Sequence, residues 1–158
     1  MTKWPAFVTL AVAPVALASC SPARTNPPIS SPPPAPTATV ESPDQAARAA
    51  SEALSWLTLV DEGKYGESWK LASSAFKRGV DEAGWAKAAA SARDPFGKLI
   101  SRQPKHIEHA TTLPGAPDGD YFVMKFETSF ERKKAAIETV IAMKDIDGSW
   151  RVAGYFVR

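Results

Sequence analysis

The sequence predicts an α+β fold in which three helices are followed by four strands. Between about residues 46 and 97, apolar residues recur every three or four positions, which is typical of helices with one buried face. From about residue 98 onward, apolar and polar residues alternate, as in strands that bury one side of a sheet. Asp147-Gly148 is a strong tight-turn signal between the last two alternating runs. We therefore expect three N-terminal helices packed on the apolar face of a four-stranded antiparallel sheet.

The boundaries of the predicted helices follow from capping and helix-breaking residues. Residues 42–45 combine a serine cap, a proline at the first helical position and the glutamine of a capping box. Gly63 is a natural end for this first helix. The second helix is predicted over residues 65–76 and the third from about Asp81, and residues 95–97 end the helical half.

Three of the predicted strands have clear patterns and one is weaker. The clear ones are Tyr121–Phe130, Ala135–Lys144 and Trp150–Val157. The weaker one is Lys98–Ala110, because Pro104 interrupts it. Since each clear strand is expected to neighbour the next along the chain, the sheet is predicted to be a meander.

The alternation also predicts which side chains face the helices. Glu138 and Lys144 are expected on the opposite face, together with the other titratable groups of these strands. A shift of one residue in either strand would reverse its two faces. The predicted inward-facing residues of the two clearest strands are Phe122, Met124, Phe126, Thr128, Phe130, Ile137, Thr139, Ile141 and Met143.

This layout resembles a small NTF2-like or cystatin-like cone, in which a curved sheet wraps around a helix. The alternative is a layered α+β sandwich without a cavity. Enzymes with the cone-shaped fold place an Asp, Glu or His inside the cone, where burial adjusts its pKa. The predicted inward faces offer only apolar and threonine side chains, so the sequence assigns no catalytic residue.

The N-terminal residues have the layout of a secretory signal. Lys3 gives a positive start, an uncharged apolar stretch runs to Ala16, and small residues follow. The apolar stretch is shorter than the roughly 20 residues that cross a bilayer. Leu17-Ala18-Ser19-Cys20 resembles the lipobox of bacterial lipoproteins, in which the chain is cut before the cysteine and its thiol is lipidated. The alternative is ordinary signal cleavage after Ala18 and secretion without a lipid.

Lipidation at Cys20 would divide the chain into an anchor, a spacer and one domain. Residues 1–19 are then the signal peptide, and residues 20–43 are the lipidated cysteine and a disordered, proline-rich linker. Residues 44–158 form a single α+β domain. Ser21 after the cysteine favours the outer membrane, with the domain facing the periplasm, over retention at the inner membrane.

Charge and cysteine content limit the expected partners. The formal net charge of +2 becomes +1 when Lys3 is removed with the signal peptide. Such a balance gives no electrostatic basis for binding nucleic acid. Lipidation of Cys20, the single cysteine, leaves no thiol for a disulfide or a metal. The expected partners are the membrane, through the lipid on Cys20, and an envelope protein or a small ligand.

The sequence predicts no cofactor and no metal site. His106 and His109 are three residues apart, which would suit a metal on a helix but places them on opposite faces of a strand. Glu108 lies between them and no third ligand is evident. The chain has no Gly-x-Ser-x-Gly elbow and no glycine loop for phosphate.

Aromatic side chains are the remaining candidates for a binding site. They could line an apolar pocket or a glycan-binding surface. Packing in the core is the better interpretation, because most of them fall on predicted buried stripes. The residues are Trp56, Tyr65, Trp69, Trp85, Tyr121, Trp150 and Tyr155.

Several short segments, in order along the chain, resemble one bacterial family of exported proteins. That family is domain of unknown function 4019, and the resemblance spans nearly all of residues 46–158. The family implies the domain limits and export, but no reaction, cofactor or catalytic residue. The segments are Glu67-Ser68-Trp69, Trp85, Pro95-Phe96-Gly97-Lys98, Ser101-Arg102, Leu113-Pro114-Gly115-Ala116-Pro117-Asp118-Gly119-Asp120-Tyr121 and Gly148-Ser149-Trp150-Arg151-Val152-Ala153-Gly154-Tyr155-Phe156.

Three hypotheses for the function remain open. The first is a lipid-anchored envelope protein with a non-catalytic binding domain. The second is a small-molecule binder or enzyme with an apolar pocket in a cone-shaped fold. The third is a structural protein that contacts the cell wall. Whether the space between helices and sheet is filled or hollow would distinguish the first two.

Overall fold

The structure is a computed structural model that describes residues 43–158. The predictions for the signal segment, Cys20 and the linker up to residue 42 concern residues outside this range. The helices are α1 (Pro43–Asp61), α2 (Tyr65–Leu71), α3 (Ser74–Gly79) and α4 (Glu82–Arg93), and a short 3₁₀ turn follows at Asp94–Phe96. The strands are β1 (Leu99–Ala110), β2 (Tyr121–Phe130), β3 (Ala136–Lys144) and β4 (Trp150–Val157). No described helix is both long and apolar enough to cross a membrane.

The predicted fold class is confirmed. The four strands form one antiparallel sheet in the order β1-β2-β3-β4, and the helices precede it in the chain. The predicted first helix ends as expected: Gly63 has a φ of 72°, and the amides of Gly63 and Lys64 donate to the carbonyls of Val60 and Leu59. These two bonds form a Schellman motif, which a glycine with positive φ favours.

The predicted second helix is two helices, α2 and α3, separated at Ala72 and Ser73. Ser73 has an extended backbone, and its hydroxyl caps α3 by accepting from the amide of Phe76 at 3.1 Å. Its own amide donates to the carbonyl of Val152 in β4 at 2.8 Å. A serine cap and a bond to the sheet thus replace the helical bonds that would have continued α2.

The core lies between α1 and the sheet. α1 buries residues at helical spacing, among them Ala53, Leu57 and Val60, against Phe122 of β2 and Val140 of β3. The inward face predicted for β2 is confirmed, and its members Phe122, Met124, Phe126, Thr128 and Phe130 are all buried.

The predicted inward face of β3 is wrong. Ile137, Thr139, Ile141 and Met143 lie on the face away from the helices, and the inward residues are Ala136, Glu138, Val140 and Ala142. Both alternating sets of β3 are largely apolar, so its own pattern did not decide between them. The register with β2 decides, because it places Glu138 beside Phe126, on the buried face.

The space between the helices and the β4 side of the sheet is filled by aromatic rings. Trp85 of α4 lies 5.5 Å from Trp56 of α1 and 5.0 Å from Phe76 of α3, between ring centroids. Tyr155 of β4 completes the group, 5.7 Å from Trp56. Core packing, the interpretation preferred for these aromatic residues, is confirmed for this cluster.

Candidate functional site

Glu138 is the centre of a buried ionic network on the inward face of the sheet. Its side chain is 0 % exposed. Arg102 of β1 donates to its two oxygens at 2.7 and 3.2 Å. The hydroxyls of Thr128 and Tyr155 donate at 2.7 and 2.6 Å. A carboxylate has about four lone-pair sites, so these four donors fill its acceptor capacity.

The network continues from Arg102 to the C-terminal end of α1. Arg102 also donates to the two oxygens of Asp61 at 2.8 and 3.0 Å. Arg93, in the last turn of α4, donates to Asp61 at 2.7 Å. The cluster therefore joins α1, α4 and the sheet through Asp61, Arg93, Arg102 and Glu138, whose two negative and two positive charges balance.

Arg93 is buried in a different way from Arg102. Its Nε and Nη1 have no hydrogen-bond partner among the described residues. The guanidinium carbon lies 4.0 Å from the ring centroid of Phe130, which places the cation over an aromatic face. That contact offsets part of the missing hydrogen bonding, because the face of the ring attracts positive charge.

The surroundings of Glu138 and Tyr155 favour the charged form of the carboxylate and the neutral form of the phenol. Burial raises the pKa of Glu138, but the hydrogen bonds and charge of Arg102, with the two hydroxyls, outweigh it and hold the pKa below its usual value. Burial and the neighbouring carboxylate raise the pKa of Tyr155. Glu138 thus stays ionised and Tyr155 stays protonated, so neither is suited to transfer a proton to a substrate near neutral pH.

A second candidate is an open groove of about 560 Å³ between α1 and β1. Its floor is formed by the buried side chains of Met124 and Phe126. Ile107 of β1 shares the inward face with Met124, its register partner, yet is 44 % exposed. Leu54 of α1, 45 % exposed, lines the other side. Thr58 and Pro104 also line the groove. Of the apolar side chains that the sheet directs into this groove, Ile107 therefore remains partly exposed, whereas Met124 and Phe126 are buried.

The histidine pair is not brought together by the fold. His106 pairs with Lys125 on the outward face, and its Nε2 lies 3.5 Å from Glu108. His109 lies on the inward face, with its ring 5.3 Å from that of Phe122. Within residues 43–158, no group of three or more His, Cys, Asp or Glu side chains is placed to hold a metal ion.

The ionic network was missed at the sequence level because the facing of β3 was wrong. Placing Glu138 outward removed the carboxylate of the sheet that meets Arg102 on the inward face. A usable signal was present in β3 itself: Ala136, Val140 and Ala142 make a second apolar set with the same parity as Glu138. Arg102 and Glu138 become visible as partners only when the registers of both strand pairs are known.

Comparisons with known proteins place the chain in a family without assigning an activity. A family model described as "Protein of unknown function (DUF4019)" matches residues 52–155, which is more than half of the chain. No curated protein and no solved structure matches the chain. The match contains α2 to α4, all of β1 to β3 and nearly all of β4, including every residue of the ionic network. The chain belongs to the DUF4019 family.

Proposed function

We propose that the protein is a lipid-anchored cell-envelope protein whose α+β domain binds a partner and does not catalyse a reaction. The observation that carries the binding role is the groove between α1 and β1. There, Leu54 of the helix and Ile107 on the inward face of the sheet remain nearly half exposed. Exposed apolar patches with a polar rim mark interaction sites in soluble domains.

The ionic network supports a structural role rather than catalysis. A general base must have a free lone pair within reach of the substrate. Glu138 has its acceptor sites filled and is fully buried, and Asp61 accepts from both Arg93 and Arg102. The network therefore fixes α1 and α4 on the sheet at the end away from the exposed Leu54 and Ile107.

The anchor is proposed from the sequence. The lipobox-like run ending at Cys20 follows an apolar export segment, and a proline-rich stretch lies between it and α1. A lipid on Cys20 would hold the domain at a membrane, and Ser21 favours the outer membrane facing the periplasm. The linker would let the domain reach a partner at some distance from the bilayer.

The alternative is a domain that binds a small molecule or acts on one. The volume of the groove favours this option, because small-molecule sites occupy about 300–1,000 Å³. An enzyme would also need a titratable group inside the groove. The groove is bordered by Arg102, which is paired twice, and by Lys105 and His106 at its edge.

Two experiments test the proposal separately. Mass spectrometry of the mature N-terminus should find Cys20 as the first residue, carrying lipid, and Cys20→Ser should leave the precursor unprocessed. An unmodified thiol at Cys20 would contradict the anchor.

A photo-crosslinking amino acid in place of Leu54 should give adducts in cells, and the same substitution at the equally apolar Leu71, 61 % exposed, serves as the matched control. Equal labelling at both positions would contradict a specific binding groove.

A further inference from the structure

We infer that the partner is an extended polypeptide segment, which adds as a fifth strand to the free edge of β1 and inserts alternate aliphatic side chains into the groove. This inference rests on the proposed binding function and names its site and partner class. Strand addition of this kind takes affinity from backbone hydrogen bonds and specificity from the alternate side chains.

The backbone of β1 offers an open edge. β1 is the terminal strand of the sheet, and within residues 43–158 no strand pairs with its outer side. The other terminal strand, β4, is partly closed, because the amide of Ser73 donates to the carbonyl of Val152. Pro104 and the bulge at Lys105 interrupt the β1 edge. The continuous part available for pairing is therefore His106–Ala110.

The groove lies directly beside this edge. A new strand would run about 4.8 Å from β1, in the hydrogen-bonding direction. Its inward side chains would lie next to Ile107 and approach Leu54 of α1, which are the exposed large apolar residues of the groove. Aliphatic side chains of the added strand would cover Ile107 and Leu54. The partner should therefore carry aliphatic residues at alternate positions, on its inward side.

The outward face of the same strand pair carries charges of both signs. His106 lies beside Lys125 in register, on the face away from the helices, and Glu108 follows on the same face with its carboxylate 3.5 Å from the imidazole of His106. Because Lys125 and Glu108 carry opposite charges, this face sets no charge requirement on the partner. The inward contacts with Ile107 and Leu54 therefore define the partner, which carries aliphatic residues at alternate positions.

A second copy of this chain fits the edge poorly. If His106–Ala110 paired with itself in antiparallel orientation, the two-fold axis would pass through the central residue, Glu108. Each Glu108 would then face its own copy, and like charges directly opposite destabilise a strand pair. An apolar small molecule would fill the groove but leave the amides and carbonyls of the edge unpaired.

The test uses the purified full-length chain and a displayed library of random decapeptides. Enriched peptides should show aliphatic residues at alternate positions. Leu54→Glu should weaken binding of a selected peptide at least tenfold, whereas Leu71→Glu, which also adds an exposed charge, should leave affinity unchanged. Hydrogen exchange of the His106–Ala110 amides should slow when the peptide is bound.

Backbone N-methylation of the selected peptide separates strand addition from simple insertion into the groove. Methyl groups on one alternating set of amides should abolish binding, because those amides pair with β1, and methyl groups on the other set should be tolerated. Tolerance of both sets would overturn the inference. The inference would also be overturned if no peptides were enriched or if the chain formed a dimer that pairs through β1. It would be overturned too if the chain bound dodecanoate, a probe for apolar small molecules, but no peptide. If crosslinks at Leu54 persist while strand addition fails, the proposed binding function stands and only the partner class is wrong.

Discussion

The two sides of the helix–sheet interface differ in what happens to side chains that point towards the helices. On the β3–β4 side, even charged residues are covered, and Glu138 is fully buried with its partners from β1, β2 and β4. On the β1 side, an aliphatic residue, Ile107, points the same way and remains 44 % exposed. The closed side is covered by side chains from α1, α3 and α4, whereas the groove on the β1 side is lined by residues of α1, β1 and β2. Burial in this fold therefore follows the layout of the helices more closely than residue type.

The largest expected effect on the free energy of unfolding comes from removing the charge of Glu138 on the closed side. Glu138→Gln removes one of the two negative partners of Arg102 while nearly keeping the size of the side chain. Because it leaves a buried guanidinium short of a counter-charge, we expect destabilisation by about 3–5 kcal/mol, measured by urea unfolding. The double variant Glu138→Leu with Arg102→Met should lose less free energy of unfolding than the sum of the losses for Glu138→Leu and Arg102→Met measured singly. Additive losses would show that the pair is not coupled.

The next effect concerns a buried serine that supports the aromatic cluster. The hydroxyl of Ser68 accepts from the indole of Trp85 at 2.9 Å and donates to the carbonyl of Tyr65 at 2.8 Å. Ser68→Ala leaves the indole N–H unpaired inside the core, so we expect a loss of about 1–3 kcal/mol in the free energy of unfolding. Ser55→Ala, at an exposed position of α1, is the control and should change it by less than about 0.5 kcal/mol. Similar losses for both variants would contradict the role of this bond.

A smaller effect depends on pH. The Ser74 hydroxyl, with other donors, lowers the pKa of Asp145 to about 2. Since the folded pKa lies below the unfolded value, Asp145 contributes stability above about pH 4, and this contribution disappears as the pH falls through about 2. Asp145→Asn should cost about 1–2 kcal/mol at pH 7, after allowance for solvent screening, and almost nothing near pH 2. Urea midpoints at several pH values measure this, and Asp118→Asn, in an exposed loop, is the control. A loss for Asp145→Asn that is independent of pH would contradict the assignment.

The sequence predicted the order and class of the elements well, because each rests on local patterns. The helical period, the glycine that ends α1 and the alternation in β2 are all properties of short segments. The facing of β3 failed because it depends on pairing with β2, and its two alternating sets are almost equally apolar. The break between α2 and α3 depends on a bond from Ser73 to Val152, far along the chain. The ionic network and the groove were unpredictable for the same reason, since both join residues that only the fold brings together.

The smallest effect on stability is expected on the open side, and it sharpens the comparison most directly. Leu54→Glu places a charge where the side chain already meets solvent, so the free energy of unfolding should change by less than about 0.5 kcal/mol. Leu57→Ala, on the same helix but fully buried, should cost about 2–5 kcal/mol. Both variants can be compared by urea unfolding of the full-length chain. If Leu54→Glu were as destabilising as Leu57→Ala, α1 and β1 would be packed together in solution, and a groove that accepts a partner strand would have to be abandoned. If it is neutral, any loss of peptide binding in the same variant comes from the groove and not from the fold.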